Sequence, residues 1–416
     1  MHVMCVTVRR KKLKSCVCVI VILLIFRLIA RYVLSKNIGE LSDLGKCPAC
    51  YGVDLCPILL GDGIKLINFD SLASVINIIG YKNVWFGTYK NAKIVVKKLG
   101  SDWELEQLDN KLCGNEGRNC NVTSSVSHVT NLSVIENYMK SLTSREGSVN
   151  DVLSGDFYVC PTTSGVNRLL QHVKLRNEAI DTKTFLQNVW TIMHINPEPL
   201  ILQILPKEDG WPVPFYYGAC GRLIIEEYAG ETLTTYYTKP WLERAKLAEK
   251  LLVAAKKLTN DHPGFRFYLT DVSPDNIAVD ASGSVYFIDL EDVIIVDRNI
   301  PDHEKPVSWT SQHVSELYEC ASCFTFSRIE ICNHHISDHN LYAVCQHLLS
   351  PKAVPGIMPG GLLHSTPYLV LENYPDLLFI YLFLTTNDEY THMPIPFSST
   401  YHSGYFYNFK HSPYFT

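Results

Sequence analysis

Three patterns of apolar and polar positions organise this chain. Ser15 to Leu34 runs apolar, interrupted only by Arg27 and Arg31. Val84 to Tyr89 and Ile94 to Lys97 are short runs rich in β-branched and aromatic residues, separated by Lys90-Asn91, which predicts a hairpin. Within Trp241 to Asn260, Leu247, Leu251, Ala254 and Leu258 recur at helical spacing and Pro263-Gly264 follows as a breaker, predicting a long amphipathic helix. Weaker signals fill the intervals. Ser101-Asp-Trp-Glu104 has the spacing of a capping box and opens a helix. Phe185 to His194 reads as helical, ended by Asn196-Pro197, and Phe215 to Tyr228 as two strands around Gly218 to Gly221. Residues 113 to 160 are polar and read as an insertion.

The first apolar run changes the picture most. Arg9-Arg-Lys-Lys-Leu-Lys14 precedes it, so residues 1–14 read as a basic cytosolic N-terminus and 15–34 as a transmembrane signal-anchor, or else a signal peptide. The positive-inside rule then places everything after residue 35, beginning with a short polar stem, 35–46, in the lumen of the secretory pathway or outside the cell. The cysteines agree with that address. Of 14, eleven lie beyond the apolar run: Cys47, Cys50, Cys56, Cys113, Cys120, Cys160, Cys220, Cys320, Cys323, Cys332 and Cys345. In an oxidising compartment these are disulfide candidates, and an odd number leaves at least one thiol without an intramolecular partner. Asn121-Val-Thr and Asn131-Leu-Ser are glycosylation sequons within a Ser/Thr-rich stretch. A net charge of −5 with no basic run beyond the N-terminus argues against nucleic-acid binding. Cys47-x-x-Cys50 and Cys320-x-x-Cys323 have zinc-like spacing, but disulfides are the expectation in a lumen. His334, His335 and His339 are of a type that binds metal, but they read more simply as solvated surface histidines.

The candidate chemistry is concentrated in Tyr268 to Val279. Asp271 is followed by Asn276 and, after the apolar run Val285 to Ile288, by Asp289. Phosphoryl transfer is mostly positioning and charge neutralisation. It needs a carboxylate at the acceptor hydroxyl, oxygen ligands for a hard cation and a cation on the nucleotide phosphates. Asp271 suits the first role, Asn276 and Asp289 the second, and Lys97, at the end of Ile94-Val-Val, the third. Glu104 and Glu178 are the candidate partners of Lys97, although Glu104 is more simply explained by the capping box. Lys98 reads as a solvated strand lysine and Asp275 as a turn residue. Strands, a helical segment, more strands, the hinge-like Glu226 to Gly230, a long helix, a polar loop and a strand ended by Asp together predict an α+β fold with the two lobes of a protein kinase.

Further motifs make the likeness specific. They are Lys46-Cys-Pro-Ala-Cys50, Lys82-Asn-Val-Trp-Phe86, Val95-Val-Lys-Lys-Leu-Gly100, Glu104 to Asp109, Asn196-Pro-Glu-Pro-Leu200, Gly210-Trp-Pro212, Gly218-Ala-Cys-Gly-Arg222, Leu269-Thr-Asp-Val-Ser273, His339 to Cys345 and Gly360-Gly-Leu-Leu-His364. Together they resemble the divergent protein kinase domain 2 family, Cys-rich kinase-like proteins of the secretory pathway. The resemblance implies a kinase-like domain over 47–364. Its N-lobe would take about 47–230, with the insertion at 113–160, and its C-lobe about 231–364. A tail, 365–416, departs from the family pattern. The resemblance also implies ATP with Mg²⁺ or Mn²⁺ as cofactor, a lumenal or extracellular protein as partner, Asp271 as catalytic-loop aspartate, Asn276 and Asp289 as metal ligands, and Lys97 as the nucleotide contact.

Departures from an ordinary kinase divide the expectation. The His-Arg-Asp triplet is Leu269-Thr270-Asp271, the cation two residues after the aspartate is Ser273, Asp-Phe-Gly is Asp289-Leu290-Glu291, and the glycine-rich loop is reduced to Gly80 and Gly87. Two readings follow: a divergent kinase acting on a secretory-pathway substrate, or a catalytically inactive pseudokinase serving as a secreted ligand or scaffold.

Overall fold

The computed structural model describes residues 38–61, 63–67, 84–113, 121–129, 131–143, 157–173, 180–315, 326–351, 353 and 360–373. The expected membrane anchor at 15–34, the tail beyond 373, Cys120, Cys320, Cys323, Gly80 and Glu178 lie outside these residues. Among the described residues, no helix is long and apolar enough to cross a membrane. The chain divides into two compact units, the first made of residues 1–128, 176–191 and 217–228 and the second of the intervening segments and everything from Ala229 on.

The first unit is built on a five-stranded antiparallel sheet ordered β1-β2-β3-β6-β5. Its strands are Ile64–Ile67 (β1), Val84–Tyr89 (β2), Ala92–Lys98 (β3), Tyr216–Cys220 (β5) and Leu223–Glu227 (β6). The β2–β3 hairpin turns at Lys90 and Asn91, both with positive φ, the conformation that a two-residue hairpin turn of matching twist demands. The capping box forms. Ser101 N–H donates to Glu104 Oε2 (2.6 Å) and Glu104 N–H to Ser101 Oγ (3.3 Å), at the start of the helix Asp102–Cys113. Ile94, Val96, Leu223 and Ile225 carry the sheet's core, against Leu41, Leu55 and Leu59. Strand β1 was not legible in the sequence, where Ile-Lys-Leu-Ile is too short to signal a period.

The second unit holds two three-stranded sheets. One is ordered β4-β11-β8, from Tyr158–Cys160 (β4), Val293–Asp297 (β11) and Phe265–Leu269 (β8). The other is β10-β9-β7, from Val285–Phe287 (β10), Ile277–Val279 (β9) and Glu231–Thr232 (β7). The long helix spans Trp241–Asn260 as the periodicity predicts, and it buries Leu247, Leu251, Ala254 and Leu258. Gly230 has φ +121°, and a Cβ there would stand 2.0 Å from the Val279 carbonyl oxygen, so no other residue fits this close approach.

Three disulfides are formed among the described residues: Cys47–Cys50, Cys56–Cys220 and Cys160–Cys332. Cys113 is also disulfide-bonded. Cys47 and Cys50 are therefore a disulfide and not a zinc half-site. Cys345 is the free thiol among the described residues, and burial of its sulfur pushes it up to about 12, which suits an unreactive thiol.

Two surface expectations are corrected. Lys98 is not solvated. Its ammonium lies between Asp102 (2.9 Å) and Asp43 (3.3 Å), because the helix cap and the preceding turn bring both carboxylates over the end of β3. His339 is fully buried and His334 nearly so. His339 opens the helix His339–Val344 and packs against the end of β8, whereas His334 closes the helix Arg328–Asn333, its Nδ1 2.7 Å from the Glu330 carbonyl.

Candidate functional site

Two loops of the second unit lie side by side because the strands at their ends pair. Leu269, ending β8, pairs with Val293 of β11, and Ile277, opening β9, pairs with Phe287 of β10. The first loop therefore runs from Thr270 to Asn276 and the second from Ile288 to Asp292, each closed against the other at both ends. Thr270 reinforces one end, its N–H and its hydroxyl both donating to the Asp292 carbonyl (3.1 and 2.8 Å). Ile288 N–H reinforces the other, donating to the Asn276 carbonyl at 3.0 Å. Asp289 is the next residue.

This geometry brings Asp271 and Asn276 into contact. Asn276 Nδ2 donates to Asp271 Oδ2 at 2.8 Å. The amide nitrogen is thereby committed, and Oδ1 is left as an acceptor. Asn276 is buried, whereas Asp271 is exposed. Asp289 is half-buried, and its carboxylate has no hydrogen bond or ion pair to the protein among the described residues. Asp275, as expected, is a turn residue, accepting from Thr234 Oγ1 at 2.7 Å.

The aspartate loop is held from behind by the helix His339–Val344. Asn340 Oδ1 accepts from Leu269 N–H (2.9 Å), and its Nδ2 donates to the Phe267 carbonyl (2.7 Å) and to Thr259 Oγ1 (2.9 Å). His339 Nε2 lies 2.7 Å from the Leu269 carbonyl. A carbonyl only accepts, so Nε2 carries the proton. Burial holds this histidine neutral, lowering it to about 4. His347 makes a further hydrogen bond to the Val272 backbone. The sequence contained these residues within a motif but offered no signal of this role.

Glu291, at the place of the glycine in Asp-Phe-Gly, accepts from Asn196 Nδ2 at 2.7 Å, while Asn196 Oδ1 takes the Glu198 N–H at 2.9 Å. The substitution of glycine by glutamate thus ties the second loop to the start of the helix Glu198–Ile204.

Lys97 belongs to the first unit. Its ammonium stands 2.7 Å from Glu226 Oε1, with both side chains largely buried. Of the two sequence candidates, Glu178 lies outside the described residues and Glu104 is engaged by the cap. Glu226 is reached because Val95 faces Glu226 and Lys97 faces Ile224 in the β3–β6 ladder, which leaves Lys97 and Glu226 diagonal on one face. Gly87 sits within β2, where a Cβ would lie 2.9 Å from the Lys65 carbonyl oxygen. Its glycine serves the approach of β1.

Both carboxylates and the buried amide present oxygen donors of the kind a hard divalent cation takes. Among the described residues, no group of three or more His, Cys, Asp or Glu has the placement of a metal centre, so any ion here relies on the amide and on a ligand's own oxygens.

Paired loops that set an aspartate against an asparagine five residues on, with a second aspartate across the ladder, define a kinase-like domain. Comparison with known proteins specifies it. The family model for the protein-kinase domain of FAM69 matches residues 189–369. Divergent protein kinase domain 2A of Xenopus tropicalis is 34% identical over 355 residues, covering 79% of this chain and 80% of its own. The Homo sapiens protein of that name is 34% identical over 356 residues with the same coverage. Divergent protein kinase domain 2B of Homo sapiens is 25% identical over 349 residues, covering 78% of this chain and 76% of its own. The chain belongs to the divergent protein kinase domain 2 family.

Proposed function

We propose that this protein is a divergent kinase of the secretory pathway that binds ATP with Mg²⁺ or Mn²⁺ and phosphorylates a hydroxyl of a lumenal or extracellular protein. The observation that supports it best is the 2.8 Å contact of Asn276 Nδ2 with Asp271, together with the carboxylate of Asp289, which has no protein partner among the described residues. In this reading Asn276 Oδ1 and Asp289 hold the metal, and Asp271, the exposed member, orients the acceptor hydroxyl and takes its proton. Lys97 contacts the nucleotide phosphates, the role the family pattern assigns it. The bound metal nucleotide supplies the phosphoryl group and neutralises its charge.

One observation favours the pseudokinase reading. Thr270 stands where a kinase has arginine, and its hydroxyl is spent on the Asp292 carbonyl. With Ser273 following, the loop from Leu269 to Asn276 contains no cation.

Thermal melting of the lumenal portion with ATP and MnCl₂ tests nucleotide binding independently of activity. Ligand at a hundred times its dissociation constant stabilises by about 2.7 kcal/mol. Wild type should show a saturable rise that Asp289→Ala lacks. No rise at millimolar nucleotide overturns the site. A rise without phosphate transfer to any lumenal protein supports the pseudokinase.

The compartment belongs to the same proposal. Disulfides separated by 164 and 172 residues are compatible with an oxidising lumen. Both sequon asparagines are exposed. Asn121 caps its helix through Oδ1, accepting from Ser124 N–H, and Asn131 Oδ1 accepts from Ser133 Oγ at 2.5 Å, so neither acceptor nitrogen is used in these contacts. Loss of mass on glycosidase treatment, absent in Asn121→Gln/Asn131→Gln, checks both sites.

A further inference from the structure

The second unit contains a cavity of about 420 Å³ lined by Pro263, Arg266, Arg298, Asn299, Trp309, Thr310 and His335. Two guanidinium groups line it and, among the described residues, no carboxylate does. Arg266 is 6% exposed. Its Nε donates to the His335 carbonyl (2.6 Å) and its Nη1 to the Thr259 carbonyl (2.7 Å) and Asn260 Oδ1 (3.1 Å). Arg298 Nη1 donates to the carbonyls of Asn260 (3.2 Å) and His262 (2.8 Å). Arg266 is therefore anchored through Nε and Nη1, and Arg298 through Nη1, in each case by neutral acceptors. The Nη2 groups of both, and Nε of Arg298, donate to no protein acceptor among the described residues.

Buried Arg222 is paired with Asp109, and the partly exposed Arg168 with Asp297. Buried Arg244, like Arg266, donates to backbone carbonyls, those of Lys239, Leu362 and His364, but it stands apart from any second guanidinium of this cavity. Arg266 and Arg298 bring two positive charges to one cavity, and among the described residues no carboxylate is paired with either. Burial, more than the Arg298 charge, pulls Arg266 below its ordinary value, with Tyr268 opposing. Holding a buried cation without a counter-charge costs free energy. Fixed forks with free N–H groups are the geometry that recognises tetrahedral oxyanions. Trp309 adds an apolar wall, and the cavity has room for more than the anion itself.

We propose that this cavity binds a phosphate or sulfate group, with Arg266 and Arg298 as its anchors. The site lies wholly within the second unit, shares no residue with Asp271, Asn276 or Asp289, and stands whether or not the chain transfers phosphate.

The test is thermal melting of the disulfide-intact lumenal portion in sodium sulfate and, separately, sodium phosphate, against sodium chloride at equal ionic strength to remove screening effects. A saturable stabilisation beyond chloride is expected, with Arg298→Gln weakening binding by about tenfold or more. Response to one anion alone identifies the group; response to both leaves the shared oxyanion chemistry. Thr310→Glu is the second variant, because it adds a carboxylate to the exposed rim without removing any hydrogen bond described above. It should abolish the response while the melt in chloride is kept, and it decides the matter if Arg298→Gln does not fold. A response equal to that in chloride, or one undiminished in Thr310→Glu, overturns the proposal.

Discussion

Lys97 and Glu226 form a buried ion pair at 2.7 Å across neighbouring strands, and this pair fixes where the ammonium can be. Removing one member of such a pair leaves the other charge uncompensated, at a cost of about 3–5 kcal/mol. Glu226→Ala should therefore destabilise the protein by several kcal/mol in urea unfolding, while Lys97→Met with Glu226→Leu should recover much of the loss. If Glu226→Ala costs no more than an exposed substitution such as Glu243→Ala, the pair is not buried in solution.

Asn276 has a double duty, and the two duties separate by experiment. Its Nδ2 positions Asp271, and Oδ1 is the atom proposed to meet metal. Asn276→Asp keeps an oxygen but removes the donor and sets two carboxylates together. It should retain Mn²⁺-dependent stabilisation by nucleotide while lowering any phosphate transfer by about a hundredfold, within the range of lost acid–base positioning. Asn276→Ala should lose both. Equal nucleotide responses in wild type and Asn276→Ala would remove this residue from the site.

Much of this arrangement was legible in the sequence, for a physical reason. Asp271, Asn276 and Asp289 are close in sequence and joined by one hairpin, so local spacing places them together. The helix Trp241–Asn260 was legible because one face is apolar over several turns. Glu226 was not, since partnership with Lys97 depends on the register of strands separated by more than a hundred residues. His339 and Asn340 were also hidden. Their polarity suggests surface, and only the pairing of β8 behind them shows that they satisfy the backbone of the aspartate loop.

The long-range disulfides should matter far more than the short one. On the chain-entropy scale, loops of the size closed by Cys56–Cys220 and Cys160–Cys332 stabilise by about 5 kcal/mol each, whereas a loop as short as Cys47–Cys50 gives about 2. Cys160→Ala/Cys332→Ala should lower the melting temperature well below that of Cys47→Ala/Cys50→Ala. Equal losses would show that the cost lies in local packing and not in the unfolded chain.

Acid should destabilise this protein earlier than its carboxylates alone would require. His339 and His262 are both held near 4 by burial, below the ordinary 6.5, and burial also lowers His313 and His347. The native state therefore prefers each ring neutral, whereas the unfolded chain takes up protons as pH falls through about 6.5. Stability is thus full above that pH and declines towards pH 4, by about 3 kcal/mol for a ring shifted as far as His339. Asp338, raised by burial, works in the opposite sense and offsets part of the loss on acidification. Urea unfolding at pH 7 and pH 4.5 measures the slope. His339→Gln, whose amide can still donate to the Leu269 carbonyl, should be less stable at pH 7 yet show a shallower fall. An unchanged slope in that variant would mean that His339 does not titrate between the two states.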